Sequence, residues 1–100
     1  MILEVADISI QPGRHAEFEA AVDRGVQEAI VESPGFIGYE LQRGIESPER
    51  YLLMIHWETL ENHTVDFRGS PAFTRWREIV GPFFATPPRV EHFNAALPLA

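Results

Sequence analysis

Arg50-Tyr51-Leu52-Leu53-Met54-Ile55-His56-Trp57 decides how the rest of the chain must be read. Its apolar, aromatic content predicts a strand, yet the strand does not alternate: Tyr51, Leu53, Ile55 and Trp57 fill one parity, Leu52 and Met54 the other. A strand that is apolar on both faces is covered on both faces. Upstream, residues 44–49 form a polar turn containing Pro48, and Phe36 to Arg43 predicts another strand, so the two pair as an antiparallel hairpin. Ile2 to Ile10 predicts a third apolar strand, with Leu3 and Val5 on one parity and Ile2, Ala6, Ile8 and Ile10 on the other. It too asks for cover on both sides.

Between these strands the periodicity changes. After the break at Gln11-Pro12-Gly13, a helix is expected from Arg14 to Glu32, with Phe18, Val22, Val26, Ala29 and Ile30 on its apolar face. Ser33-Pro34-Gly35 ends it. Beyond the hairpin, Thr59 is a candidate N-cap for a short helix through Phe67, with Leu60, His63, Thr64 and Phe67 on one face. Ser70-Pro71 starts another helix, whose buried stripe is Ala72, Phe73, Trp76, Ile79 and Val80; Gly81-Pro82 stops it. Arg89 to Ala96 reads as the last strand. The order predicts an α+β fold of ferredoxin-like βαββαβ topology, a four-stranded antiparallel sheet with its helices on one face. The other, apolar face is then left for a second copy, giving a homodimer through stacked sheets.

Composition narrows the function. One hundred residues make one domain, 1–100, and 45% hydrophobic with 23% charged residues is ordinary for a globular protein. A net charge of −7 argues against nucleic acid, which needs a basic surface. No apolar run is long enough to span a bilayer, and the N-terminus lacks a basic region followed by a long apolar segment. With no cysteine there are neither disulfides nor thiolate sites, which fits a cytoplasmic protein.

Three segments, residues 33–40 (Ser-Pro-Gly-Phe-Ile-Gly-Tyr-Glu), residues 51–63 (Tyr51 to His63) and residues 70–73 (Ser-Pro-Ala-Phe), in that order and spacing, resemble the antibiotic biosynthesis monooxygenase (ABM) domain family. The likeness covers nearly the whole chain and implies a dimeric α+β barrel. It also implies a choice of chemistries: cofactor-independent oxygenases that turn phenols, anthrones or hydroquinones into quinones, haem-degrading enzymes, and an isomerase of a signalling sugar. Fold follows from membership more firmly than activity does.

The resemblance places the family's helix histidine on His63, which helical spacing turns toward the sheet. A histidine there could act as general base on a phenolic hydroxyl, or could only satisfy a backbone carbonyl. Asn62 could hydrogen-bond a substrate oxygen, or could bond back to its own helix cap. Phe67, Phe73, Trp76 and Phe83, with Phe84, could be pocket walls for a planar substrate or ordinary core. Arg77 could anchor an anionic substrate or stand free in solvent. Trp57 falls on the family's strand-end tryptophan, a structural position. His15, His56, His63 and His92 do not fall at metal-ligand spacing, so no metal site is expected. The asparagine, tryptophan and iron-ligating histidine of the haem-degrading branch align with Ala6, with Asp66 or Phe67, and with Arg77, so none is matched. The expectation is a cofactor-independent monooxygenase using molecular oxygen on a small aromatic substrate. A non-catalytic dimeric ligand-binding module and an isomerase of a polar carbonyl compound are the alternatives.

Overall fold

Tyr51, Leu53, Ile55 and Trp57 are at most 2% exposed, sealed on one side of their strand in the computed structural model, which describes residues 1–99. The strands are β1 (Ile2–Ser9), β2 (Phe36–Arg43), β3 (Arg50–Trp57) and β4 (Arg89–Phe93). All pair antiparallel in the order β2-β3-β1-β4, the ferredoxin-like arrangement. Register places Ala6 opposite Leu53 and Val90, and Glu4 opposite Ile55 and His92, on the helix-covered face. Leu3, Val5, Leu52, Met54 and Phe93 share the opposite face, which no helix among the described residues covers. The two-sided apolar character of β1 and β3 thus has its explanation for one side within the chain.

Helix α1 (His15–Gly25) buries Phe18 and Val22 against the sheet. Its ladder then widens to π winding over Val26–Ile30, where the Val31 amide reaches the Val26 carbonyl at 2.9 Å. Helical winding therefore stops at Ile30 rather than at Glu32, before the Ser33-Pro34-Gly35 turn, in which Gly35 has φ +79°. A side chain on Gly35 would also collide with the Asn62 amide. The second helical layer is a π-wound turn, Asn62–Phe67, followed by α2 (Pro71–Val80) and a single 3-10 turn, Gly81–Phe83. α1 and α2 touch at Gly25, where an added Cβ would lie 2.7 Å from the Trp76 ring. Two expectations are corrected. Leu60 leaves the inward face and is 41% exposed, because π winding rotates it away from His63 and Phe67. The last strand ends at Phe93, which pairs with Leu3 near the start of β1, rather than at Ala96.

Candidate active site

On β1, the parity that carries Ala6, Ile8 and Ile10 into the core also carries Glu4, which is only 6% exposed. A carboxylate there needs partners. Trp57 Nε1–H donates to Glu4 Oε1 at 3.0 Å, and His63 Nε2 stands 3.3 Å from the same oxygen. The imidazole of His63 lies nearly parallel to the Trp57 indole, with 5.4 Å between centroids and 19° between planes. Its Nδ1 is hydrogen-bonded to His92 Nε2 at 2.7 Å. Because β4 pairs beside β1, His92 is the cross-strand neighbour of Glu4. The sheet thus supplies an acid and an imidazole side by side, and the π-wound turn lowers a second imidazole onto both. His63 makes this contact because Thr59 and Asn62 fix the start of its turn: the Asn62 amide N–H donates to Thr59 Oγ1 at 3.2 Å, while Asn62 Oδ1 accepts from the Thr59 amide at 3.0 Å.

This cluster closes one end of a cavity of about 960 Å³ between the sheet and the second helical layer. Ala6, Ile8, Leu53 and Ile55 form its floor, Phe67, Phe73 and Trp76 its aromatic wall, and Arg68 and Arg77 are exposed at its edge. Phe67 and Phe73 meet edge to face at 5.6 Å. Of the residues singled out from sequence, His63, Phe67, Phe73, Trp76 and Arg77 are brought together here. Two are not. Asn62 is engaged in the cap and in a bond to Asp66, outside the cavity. Phe83 packs on Phe18 at 5.9 Å beneath the Arg14 guanidinium, and it is Phe84 that reaches the cavity.

Burial fixes the charge states. Desolvation lifts the Glu4 carboxyl from 4.5 to about 7, against the lowering effects of the Trp57 hydrogen bond and the Arg68 charge. Desolvation, then the charges of Arg68 and His92, push His63 from 6.5 down to about 3. Burial and Arg68 lower His92 as well. At neutral pH both imidazoles are neutral, and Glu4 is the group poised between its two forms. No buried side-chain nitrogen or oxygen among the described residues lacks a hydrogen-bond partner. Glu4 lines the cavity, and Trp57 and His63 both approach the same oxygen, Oε1. Glu4, His92 and Arg68 were the residues that sequence reasoning passed over. Their signal was weak: one acid on the inward parity of an apolar strand, and a histidine on a strand whose pairing beside it is distant in sequence.

Fold and cavity together define a ferredoxin-like α+β domain built around an internal, aromatic-walled chamber. Residues 1–79 match the family model described as antibiotic biosynthesis monooxygenase, and the chain belongs to that family. It is 47% identical to a solved structure from Bordetella bronchiseptica assigned to the same monooxygenases, covering 96% of this chain and 97% of that one with a TM-score of 0.91. The uncharacterized protein YczJ of Bacillus subtilis is 39% identical over 94 residues, 94% of this chain and 98% of that protein. A heme oxygenase (mycobilin-producing) of Mycobacterium tuberculosis is 32% identical over 60 residues, 60% of this chain and 56% of that protein.

Proposed function

We propose that this chain is a cofactor-independent monooxygenase that oxidises a small aromatic hydroxy compound, a hydroquinone, anthrone or polycyclic phenol, to a quinone with molecular oxygen. The observation that carries this reading is the Glu4 carboxyl, held by Trp57 and His63 through one of its oxygens at the end of an aromatic-walled cavity. A proton acceptor tuned to about 7 is matched to a hydroxyl that must be deprotonated at neutral pH. Glu4 takes that proton, and the electron-rich anion left behind reduces oxygen. For an anthrone the balance is Ar2CH2 + O2 → Ar2C=O + H2O. The carbon gives four electrons, one oxygen atom becomes the carbonyl, and the other leaves as water with the two hydrogens lost from carbon. His63 passes protons between Glu4 and the half-buried His92 by exchanging which ring nitrogen holds the hydrogen. Phe67, Phe73 and Trp76 sandwich the planar ring, and Arg77 stands at the cavity's edge.

Haem as substrate is a poorer fit. His63 is the one imidazole lining the cavity; its Nδ1 is bonded to His92 and its Nε2 faces Glu4, which leaves no ring nitrogen free for iron.

The test is oxygen uptake by metal-stripped protein against a panel of hydroquinones and anthrones, with Glu4→Gln and His63→Ala as variants. Uptake above the spontaneous rate that falls about 100-fold or more in Glu4→Gln is the expected result. Binding without uptake would instead indicate a non-catalytic ligand-binding module. The uncovered sheet face, with Leu3, Val5, Leu52 and Met54 half-buried and the ion pairs Arg50–Asp7 and Arg89–Glu91 at its rim, supports a homodimer. Sedimentation equilibrium should give twice the chain mass, and a monomer across the micromolar range would dismiss the pairing. No helix among the described residues is long and apolar enough to cross a membrane; with the absence of cysteine this supports a cytoplasmic setting.

A further inference from the structure

All the fixed cationic side-chain charge lies on eight arginines, against fifteen Asp and Glu. In such an acidic chain an arginine finds a carboxylate easily, and six have done so. Arg14, Arg24, Arg43, Arg50, Arg75 and Arg89 each stand within 4.0 Å of an Asp or Glu oxygen. The two with no such partner among the described residues are Arg68 and Arg77, and both line the cavity. They come from different elements. Arg68 follows the π-wound turn, its amide bonded to the His63 carbonyl at 3.1 Å. Arg77 rides on α2 with its guanidinium 5.8 Å from the centroid of Phe73, part of the aromatic wall. The cavity's own acids do not neutralise them: Glu4 is at the buried end beside Trp57, and Glu78 is drawn to Arg75 at 4.0 Å. The positive charge of Arg68 is felt at Glu4, His63 and His92 alike, so it acts on the chamber as well as on solvent.

We infer that the substrate is an aromatic acid: its carboxylate is held by Arg68 and Arg77 at the cavity mouth while its hydroxylated ring reaches inward along Phe73 and Trp76 to Glu4. This rests on the oxygenase reading for the fate of the ring, but the anion site stands on its own geometry. A guanidinium presents paired N–H donors that match a carboxylate edge, and the apolar wall favours a flat ring over a sugar or a chain of hydroxyls. Two unpaired cations beside an apolar surface also give the site a preference that salt should weaken.

Calorimetric titration with two redox-inert probes of nearly the same ring, 6-hydroxy-2-naphthoate, whose carboxylate and hydroxyl lie at opposite ends, and 2-naphthol, separates this from the question of turnover. The acid should bind at least about tenfold more tightly than the neutral phenol, equivalent to roughly 1.4 kcal/mol. The Arg68→Gln/Arg77→Gln double variant, with both changes at exposed positions, should keep the naphthol affinity and lose the preference. Equal affinity for the two probes, no binding of the acid, or a preference that survives in the double variant would each overturn the assignment. Failure of oxygen uptake with a carboxylated hydroquinone that binds well would strike the oxygenase reading and leave the anion site standing.

Discussion

The layer between the sheet and its helices has two halves built on the same strands. Under α1 it is solid: Phe18, Val22 and Val26 are at most 1% exposed, and the Phe18 ring meets Tyr51 at 4.8 Å. Under the π-wound turn and α2 it is open, holding a cavity of about 960 Å³ and a buried carboxyl. The solid half contributes stability through apolar burial; the open half gives up packing for a chamber and must satisfy Glu4 with Trp57 and His63. Gly25 is where the halves meet, letting α2 bring Trp76 against α1.

The strongest way to break this contrast is to truncate one phenylalanine in each half. Phe18→Ala removes a fully buried ring that touches both Tyr51 and Phe83, and should cost about 3–5 kcal/mol. Phe73→Ala removes a half-buried ring that already borders empty space, so it widens a cavity rather than creating one and should cost about 1 kcal/mol. Urea unfolding midpoints read both. Equal losses would show that the open half is as tightly packed as the solid one, and the chamber would lose its meaning.

The solid half was legible in the sequence because its signals are periodic: Phe18, Val22 and Val26 repeat along a helix, and Tyr51, Leu53, Ile55 and Trp57 along a strand. The uncovered face was legible for the same reason, from Leu52 and Met54 on the wrong parity for a one-sided strand. His63 could be placed because the resemblance marked it, and the aromatic wall of Phe67, Phe73 and Trp76 followed from helical spacing. Glu4 could not be weighed, since a single acid in a strand reads as a solvated position until its parity is set against the helices above. Nor could His92, whose nearness to His63 depends on β4 pairing beside β1, a contact 29 residues apart in sequence. The Phe83 and Phe84 exchange turned on one 3-10 turn, Gly81–Phe83, which shifts which of two adjacent rings faces inward. Asn62 had two chemically equivalent uses, and only the Thr59 contacts distinguish them.

A subtler probe of the open half is the pH dependence of stability in Glu4→Gln. Folded, Glu4 keeps its proton up to about pH 7; unfolded, it releases it near 4.5, so across that window the folded state binds more protons and stability falls as pH rises. His63 runs oppositely. Folded, it stays neutral down to about pH 3, whereas unfolded it takes a proton near 6.5, so stability falls as pH drops through that window. Between 4.5 and 6.5 the two cancel, because the proton held by Glu4 in the folded state is held by His63 in the unfolded one. In the wild type these two contributions therefore offset each other and only the lowered His92 still makes stability rise with pH there, while Glu4→Gln, with His63 uncompensated, should gain stability more steeply from pH 3 to 6.5. Asp7, lowered by its hydrogen bond to Arg50, and the lowered His92 are common to both proteins and drop out of the difference. The stability of wild type relative to Glu4→Gln should fall by about 3 kcal/mol between pH 4.5 and 7, at roughly 1.4 kcal/mol per pH unit. A difference that stays flat over this range would mean that Glu4 ionises as it does in water. The acid of the open half would then be a solvated surface group, and the distinction between the two halves would reduce to packing alone.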